Sequence, residues 1–153
     1  MSQYSGRLAL QQRVLPSYRV PFFDLLAQSC KKGMGLFAGL PRPVEMIASG
    51  RPQIAEFKQA KNIHLLGGAF YLCYQRGFIN WLEEWNPDSL IVEANPRYLS
   101  TSSAVKWMHA RGRKAIGWGL GSPLTPTPLP MGEGQGVREN MFYLAGTILR
   151  GKR

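Results

Sequence analysis

Long apolar runs are missing from this sequence: none of the 153 residues belongs to a stretch near the roughly 20 needed to cross a bilayer. A membrane-spanning protein is not expected. The opening MSQYSGRLALQQR lacks the apolar core of a secretory signal, so the expected location is the cytoplasm, or the surface of a membrane. Cysteine is scarce as well. Cys30 and Cys73 carry no CxxC spacing and lie in apolar surroundings, which favours two buried free thiols over a disulfide or a catalytic thiol. Histidine is limited to His64 and His109, with no clustered Cys or Asp, so neither a structural zinc site nor any other metal site is expected. His64 in an apolar run reads as a satisfied internal or edge residue, and His109 beside Arg111 as a solvated one.

Catalytic signatures are absent too. No GxGxxG follows the first strand-like run, where the chain instead reads RVLPSYR, and there is no P-loop and no GxSxG elbow. Gly117, Gly119 and Gly121 have the right order of residue types but sit at the end of the last strand-like run, where they read as a tight turn. A simple nicotinamide-dependent enzyme is therefore disfavoured, and no covalently bound cofactor is expected.

Negative charge is the last shortage. Nine Asp and Glu face nineteen Lys and Arg, a net charge of +10, and ten of the nineteen basic residues fall within positions 7 to 76. The excess is thus spread along the chain. It favours phosphate-bearing partners: nucleic acid, anionic lipid or phosphorylated small molecules. At 44% hydrophobic and 18% charged residues the composition is that of a folded domain, and the length suits one.

What is present is an alternation of strands and helices. RLALQ (7–11) is the first strand, with Pro16 breaking it. VPFFDLLAQSCKKG (20–33) is a helix with Pro21 in its first turn, Lys31 and Lys32 at its negative end and Gly33 as its cap. MGLFAG (34–39) is the second strand, a short helix is expected around Ile54–Lys58, and NIHLL (62–66) is the third strand, closed by Gly67 and Gly68. Phe78, Trp81, Leu82 and Trp85 then trace a helix that stops before Pro87. SLIVEA (89–94) is the fourth strand, LSTSSAVKWMHARG (99–112) a helix facing inward through Ala104, Val105 and Met108, and KAIGWG (114–119) the fifth strand. The fold class is α/β: one Rossmann-like domain over residues 1–121, with a five-stranded, mostly parallel sheet covered by helices on both faces.

For the common strand order 3-2-1-4-5 the ligand crevice opens at the carboxyl ends of strands one and four. The segments meeting there are RVLPSYR (13–19) and EANPRYLS (93–100). The candidate cleft residues are Arg13, Ser17, Tyr18, Arg19, Gly67, Gly68, Glu93, Asn95, Arg97, Tyr98 and Gly119. Arginine can take phosphate or carboxylate in a fork, and Asn and Glu can bind sugar hydroxyls. The competing reading makes these solvated loop residues, with Arg97 paired to Glu93 and the tyrosines serving as packing. No residue stands out as a catalyst.

Three segments carry a family resemblance. RLALQQRVLPSYRVPFFDLLA, GLFAGLPRP and WNPDSLIVEANPRYLSTSSAVKWMHARGRKAIGWGLG resemble the N-terminal domain of bacterial glycosyltransferases of the group 1 kind, which have two Rossmann halves in the GT-B arrangement. The resemblance covers about residues 6 to 121. It implies sugar transfer from a nucleotide-activated donor, without a metal, to a saccharide or lipid-linked acceptor bound mainly by this half. The donor would be expected only with a second, C-terminal domain, supplied in trans if it is missing from the chain. The isolated chain is then expected to be inactive. An anionic membrane surface is the further expected partner. The first loop departs from the family, since Pro16–Arg19 stands where many members place a Gly-Gly pair. The alternative is a basic nucleic-acid-binding or nucleotide-binding module without catalysis. Nucleic acid is disfavoured because the aromatics do not interleave with Lys and Arg in any RNA-binding signature.

PLTPTPLPMGEGQG changes the character of the chain: four of its eleven prolines and three glycines fall within Ser122–Gly136. Residues 122–137 read as an interdomain linker, a functional loop, or an inserted repeat that truncates the family pattern, for the tract resembles a translated dispersed genomic repeat. Residues 138–153 read as a short helical or disordered basic tail.

Overall fold

The computed structural model describes residues 3–119. The tract 122–137, the tail 138–153 and Gly121 lie outside the described residues. Five strands form one parallel sheet: β1 (Leu8–Val14), β2 (Met34–Gly39), β3 (Glu56–Gln59), β6 (Ser89–Glu93) and β7 (Lys114–Trp118), in the order β3-β2-β1-β6-β7. Between them run α1 (Val20–Gln28), α2 (Phe78–Trp85) and α3 (Leu99–His109), and a separate antiparallel pair, β4 (Lys61–Leu65) and β5 (Leu72–Arg76). The domain is α/β and Rossmann-like, as its alternation of elements implies.

β1 and β2 sit at the centre, and nearly every side chain on them is buried, because a parallel sheet is covered on both faces. Alternation sends Ala9 and Phe37 to one face, where Phe78, Trp81 and Leu82 of α2 and Ala104 and Met108 of α3 close over them. Leu8, Leu10 and Leu36 go to the other, against Phe23 and Ala27 of α1. Burying side chains of this size contributes about 1.5–3 kcal/mol each. Phe37, Phe78 and Trp81 form a three-ring cluster, with Phe37 at 5.1 Å from each of the other two ring centres and those two 6.1 Å apart. Gly35 is what lets that helix come so close: a Cβ there would meet the Trp85 ring at 2.8 Å.

Two expected elements are corrected. The helix around Ile54–Lys58 is instead the edge strand β3, pairing Phe57 with Leu36. The cause lies on α1, where the Asp24 carboxylate accepts the backbone N–H groups of Gln53, Ile54 and Ala55 at 2.9–3.4 Å. Those three N–H groups fix the bend at residues 53–55 that leads into β3, and they hold the Asp24 carboxyl below its usual range against the upward pull of burial. NIHLL is a strand, but not the third strand of the parallel sheet; it belongs to β4 of the hairpin. β3 takes the third place.

Other elements shift at their ends. β1 runs three residues past Gln11. α1 stops at Gln28, short of Gly33, because Ser29 and Lys31 are captured by the backbone of Tyr4. Strand β5 was not anticipated from the sequence, for its inward residues are Cys73 and Gln75 rather than a plain apolar row.

Candidate functional site

Polar side chains converge at the carboxyl ends of β1 and β6. The β1–β2 register slips between Gln12 and Val14, leaving Arg13 without a partner on β2. Irregularities of this kind re-aim a side chain near sheet rims. The Arg13 guanidinium donates to Glu45 Oε2 at 3.0 Å and to Tyr98 Oη at 3.2 Å, while its backbone N–H donates to Glu93 Oε2 at 2.5 Å. Glu45 also accepts the backbone N–H and the guanidinium of Arg42. One carboxylate thereby bridges two arginines.

The electrostatics follow from that bridge. Burial pushes the Glu45 carboxyl up, but the Arg13 and Arg42 donors outweigh it and bring it down to about 2. Burial works against the Arg13 charge, yet the Glu45 hydrogen bond and charge hold its pKa above the ordinary arginine value. Glu93 goes the other way: burial raises it, and the Arg13 N–H and the charges of Arg13 and Arg19 offset only part. Tyr98 is raised by burial and then by the Glu93 charge.

Behind this cluster lies a second, neutral one. Gln75 accepts from Gln11 Nε2 at 2.5 Å and donates to the Gln12 carbonyl at 3.1 Å and to Asn62 Oδ1 at 2.9 Å. Asn62 in turn donates to the carbonyls of Arg13 and Leu40, and any side chain at Gly39 would strike its amide. Ser100 Oγ accepts from the Gln75 N–H at 2.6 Å. Through these bonds the β4–β5 hairpin is locked to the rim of the parallel sheet, and Cys73 adds a backbone bond to the Arg97 carbonyl.

The open space lies one strand away from the expected crevice. Arg13, Glu45 and Tyr98 fill the rim between β1 and β6. A cleft of about 520 Å³ opens instead beside the ends of β2 and β3, lined by Leu40, Arg42, Gln59, Lys61, Asn62 and His64, among others. His64 Nδ1 lies 2.9 Å from Tyr71 Oη, and the Arg42 guanidinium lies 4.3 Å from the centre of the Tyr71 ring. Burial, then the charges of Arg13 and Arg42, lower the His64 pKa. Burial, then the Cys73 thiol, push the Tyr71 phenol up to about 12. The cleft therefore offers cationic and amide groups and a neutral imidazole. Such groups suit hydroxyl-rich or anionic ligands.

The candidate residues divide accordingly. Arg13, Glu93 and Tyr98 come together. Asn95 sits beside them and caps its own loop by accepting from the Arg97 N–H. Arg97 is exposed and does not pair with Glu93, which accepts from Arg13 instead. Ser17 and Tyr18 are exposed on the 3-10 turn Ser17–Arg19, whose Arg19 donates to Gln12 Oε1 and lies over the Tyr18 and Trp118 rings. Gly119 is exposed at the end of β7. Gly67 and Gly68 are remote from the crevice, at the far tip of the hairpin. Both cysteines are free and buried, and His109 is exposed on α3.

Glu45 and Gln75 escaped the sequence reading. The available signal was Gln11-Gln12, two amides inside an otherwise apolar strand, since buried amides require partners from elsewhere. Compared with known proteins, the chain matches no family model, no curated protein and no solved structure.

Proposed function

We propose that this domain is the acceptor-side half of a nucleotide-sugar-dependent glycosyltransferase, one that binds a saccharide or lipid-linked acceptor. The observation that carries the reading is the rim itself. A 3-2-1-4-5 parallel sheet gathers Arg13, Glu45, Glu93 and Tyr98 at its carboxyl edge, next to a cleft with Arg42, Lys61 and Gln59 on its walls. The resemblance of three segments to group 1 enzymes supports the same choice.

The division of labour follows from the chemistry. Sugar transfer through an oxocarbenium-like state needs the departing diphosphate neutralised and water excluded. Among the described residues the rim is one wall, able to hold an acceptor and to present charge. Closing the site over a nucleotide-sugar would require a second domain. On this reading the protein works in the cytoplasm against the inner membrane face, where lipid-linked acceptors lie and where a net charge of +10 favours anionic lipid.

The test is an amide-resolved NMR titration of the whole chain with oligosaccharides, a lipid-linked saccharide analogue in micelles, and free nucleotides. A saccharide should shift resonances around Arg42, Lys61 and Asn62, nucleotides alone should shift little, and the chain alone should turn over no nucleotide-sugar. Sub-millimolar nucleotide binding without saccharide binding would overturn the reading in favour of a nucleotide-binding module. Salt-steep binding to a random duplex would overturn it in favour of a nucleic-acid module.

A further inference from the structure

The β4–β5 hairpin is graded from charge to carbon along one face. Side chains alternate across a strand, and Asn62, His64, Cys73 and Gln75 face the domain. The register pairs the others as Lys61 with Arg76, Ile63 with Tyr74 and Leu65 with Leu72. From base to tip the second face therefore runs cation–cation, aliphatic–phenol, leucine–leucine. The turn beyond adds Leu66 and Phe70, 72% and 78% exposed.

Each part of this gradient costs stability without a return inside the domain. Large apolar side chains stand in water at the tip. Lys61 and Arg76 are like charges directly opposite each other, an unfavourable cross-strand pair. The sequence holds no Asp or Glu from Phe57 through Leu82 to neutralise them locally, and neither cation is in an ion pair among the described residues. Leu66 adopts φ +58°, the left-handed region that a leucine occupies only at a cost.

We propose that the hairpin inserts its tip into an anionic lipid surface, with Leu65, Leu66 and Phe70 below the headgroups, Tyr74 at the interface and Lys61 and Arg76 against the lipid phosphates. Strands advance about 3.4 Å per residue, so the cations lie about 14 Å from the Leu65–Leu72 pair, which keeps them at headgroup level when the apolar tip is buried about 5–10 Å. The order cation, phenol, aliphatic along one axis matches the polarity gradient of a membrane interface. The proposal shares the anionic membrane with the transferase reading but stands on the hairpin geometry alone.

Flotation of the full chain with vesicles tests it, comparing phosphatidylcholine mixed with phosphatidylglycerol against phosphatidylcholine alone. The wild type should float with the anionic vesicles and much less with the neutral ones. Leu66→Asp/Phe70→Asp should weaken binding about tenfold or more, with no loss of melting temperature, because both positions are exposed and Asp tolerates the positive φ at position 66 better than Leu. Lys61→Gln/Arg76→Gln should weaken it about fivefold per charge and flatten its salt dependence. A Phe70→Trp variant should gain fluorescence that brominated lipid quenches. A folded wild type that ignores anionic vesicles would overturn the proposal. So would a tip variant that floats as well as the wild type, which would mean general adsorption of a basic protein. Saccharide-induced NMR shifts should survive in the tip variant, so failure of this surface and failure of the transferase reading are separable.

Discussion

β1 runs through the interior and β5 turns only one face toward it, and the two are held differently: Leu8, Ala9 and Leu10 of β1 meet carbon while Gln75 of β5 meets Gln11, Gln12 and Asn62. The parallel sheet is held by apolar area, which is non-directional and tolerant of small shifts. The hairpin is held by hydrogen bonds between buried amides, each of which leaves a costly orphan if its partner goes. The hairpin also turns its apolar residues outward, the reverse of the sheet. The contrast separates a scaffold built for stability from an appendage whose surface is arranged for something outside the domain.

Removing carbon from the sheet gives the largest expected effect. Phe37→Ala removes the ring that packs on both Phe78 and Trp81 and should cost about 3–5 kcal/mol in urea unfolding. Gln75→Leu should cost roughly 2–3 kcal/mol, because Gln11, the Gln12 carbonyl and Asn62 lose their partner. Here hydrogen exchange should quicken in residues 61–76 while β1 and β2 stay protected. Global loss of protection in Gln75→Leu would break the comparison, since hairpin and sheet would then be one cooperative unit.

Glu45→Gln sharpens the electrostatic side, with an expected cost of about 1–2 kcal/mol at neutral pH. Glu45 titrates at about 2 in the fold against an ordinary value of 4.5. Its stabilisation is therefore complete above about 4.5 and is lost as the pH falls toward about 2. Glu93 is raised rather than lowered, so its protonation on acidification relieves a cost and partly opposes that loss. Subtracting the variant's pH–stability curve from that of the wild type isolates the contribution of the Glu45 carboxylate. A difference that does not shrink below pH 4.5 would remove Glu45 from the Arg13 account.

The smallest effect has the opposite sign. Leu66→Gly relieves the positive φ and should raise thermal stability by roughly 0.5–1 kcal/mol while weakening vesicle binding. A stability gain with vesicle binding intact would detach the strained turn from the membrane surface.

Legibility in the sequence tracked the kind of force at work. MGLFAG and SLIVEA announce buried strands, and the spacing of Phe78, Trp81, Leu82 and Trp85 announces a helix, because apolar burial writes its period into neighbouring residues. LCYQR carries no such period, since its inward Gln75 is matched by amides 63 and 64 positions away. The rim residues Arg13, Glu93 and Tyr98 were legible from the switch-point rule, whereas Glu45 was not. Its pairing with Arg13 spans 32 positions and depends on where the loop after β2 comes to rest.

The alternation of elements, the two-sided burial of β1 and β2 and the edge of the sheet where polar groups collect are all legible along the chain. Those are consequences of composition and local period. The packed fold was needed to make 56–59 rather than 62–66 the third parallel strand, to bring Asp24 to the N–H groups just before it, and to set Glu45 between two arginines. Each of these rests on a directional bond between distant residues, and such bonds leave no pattern along the chain.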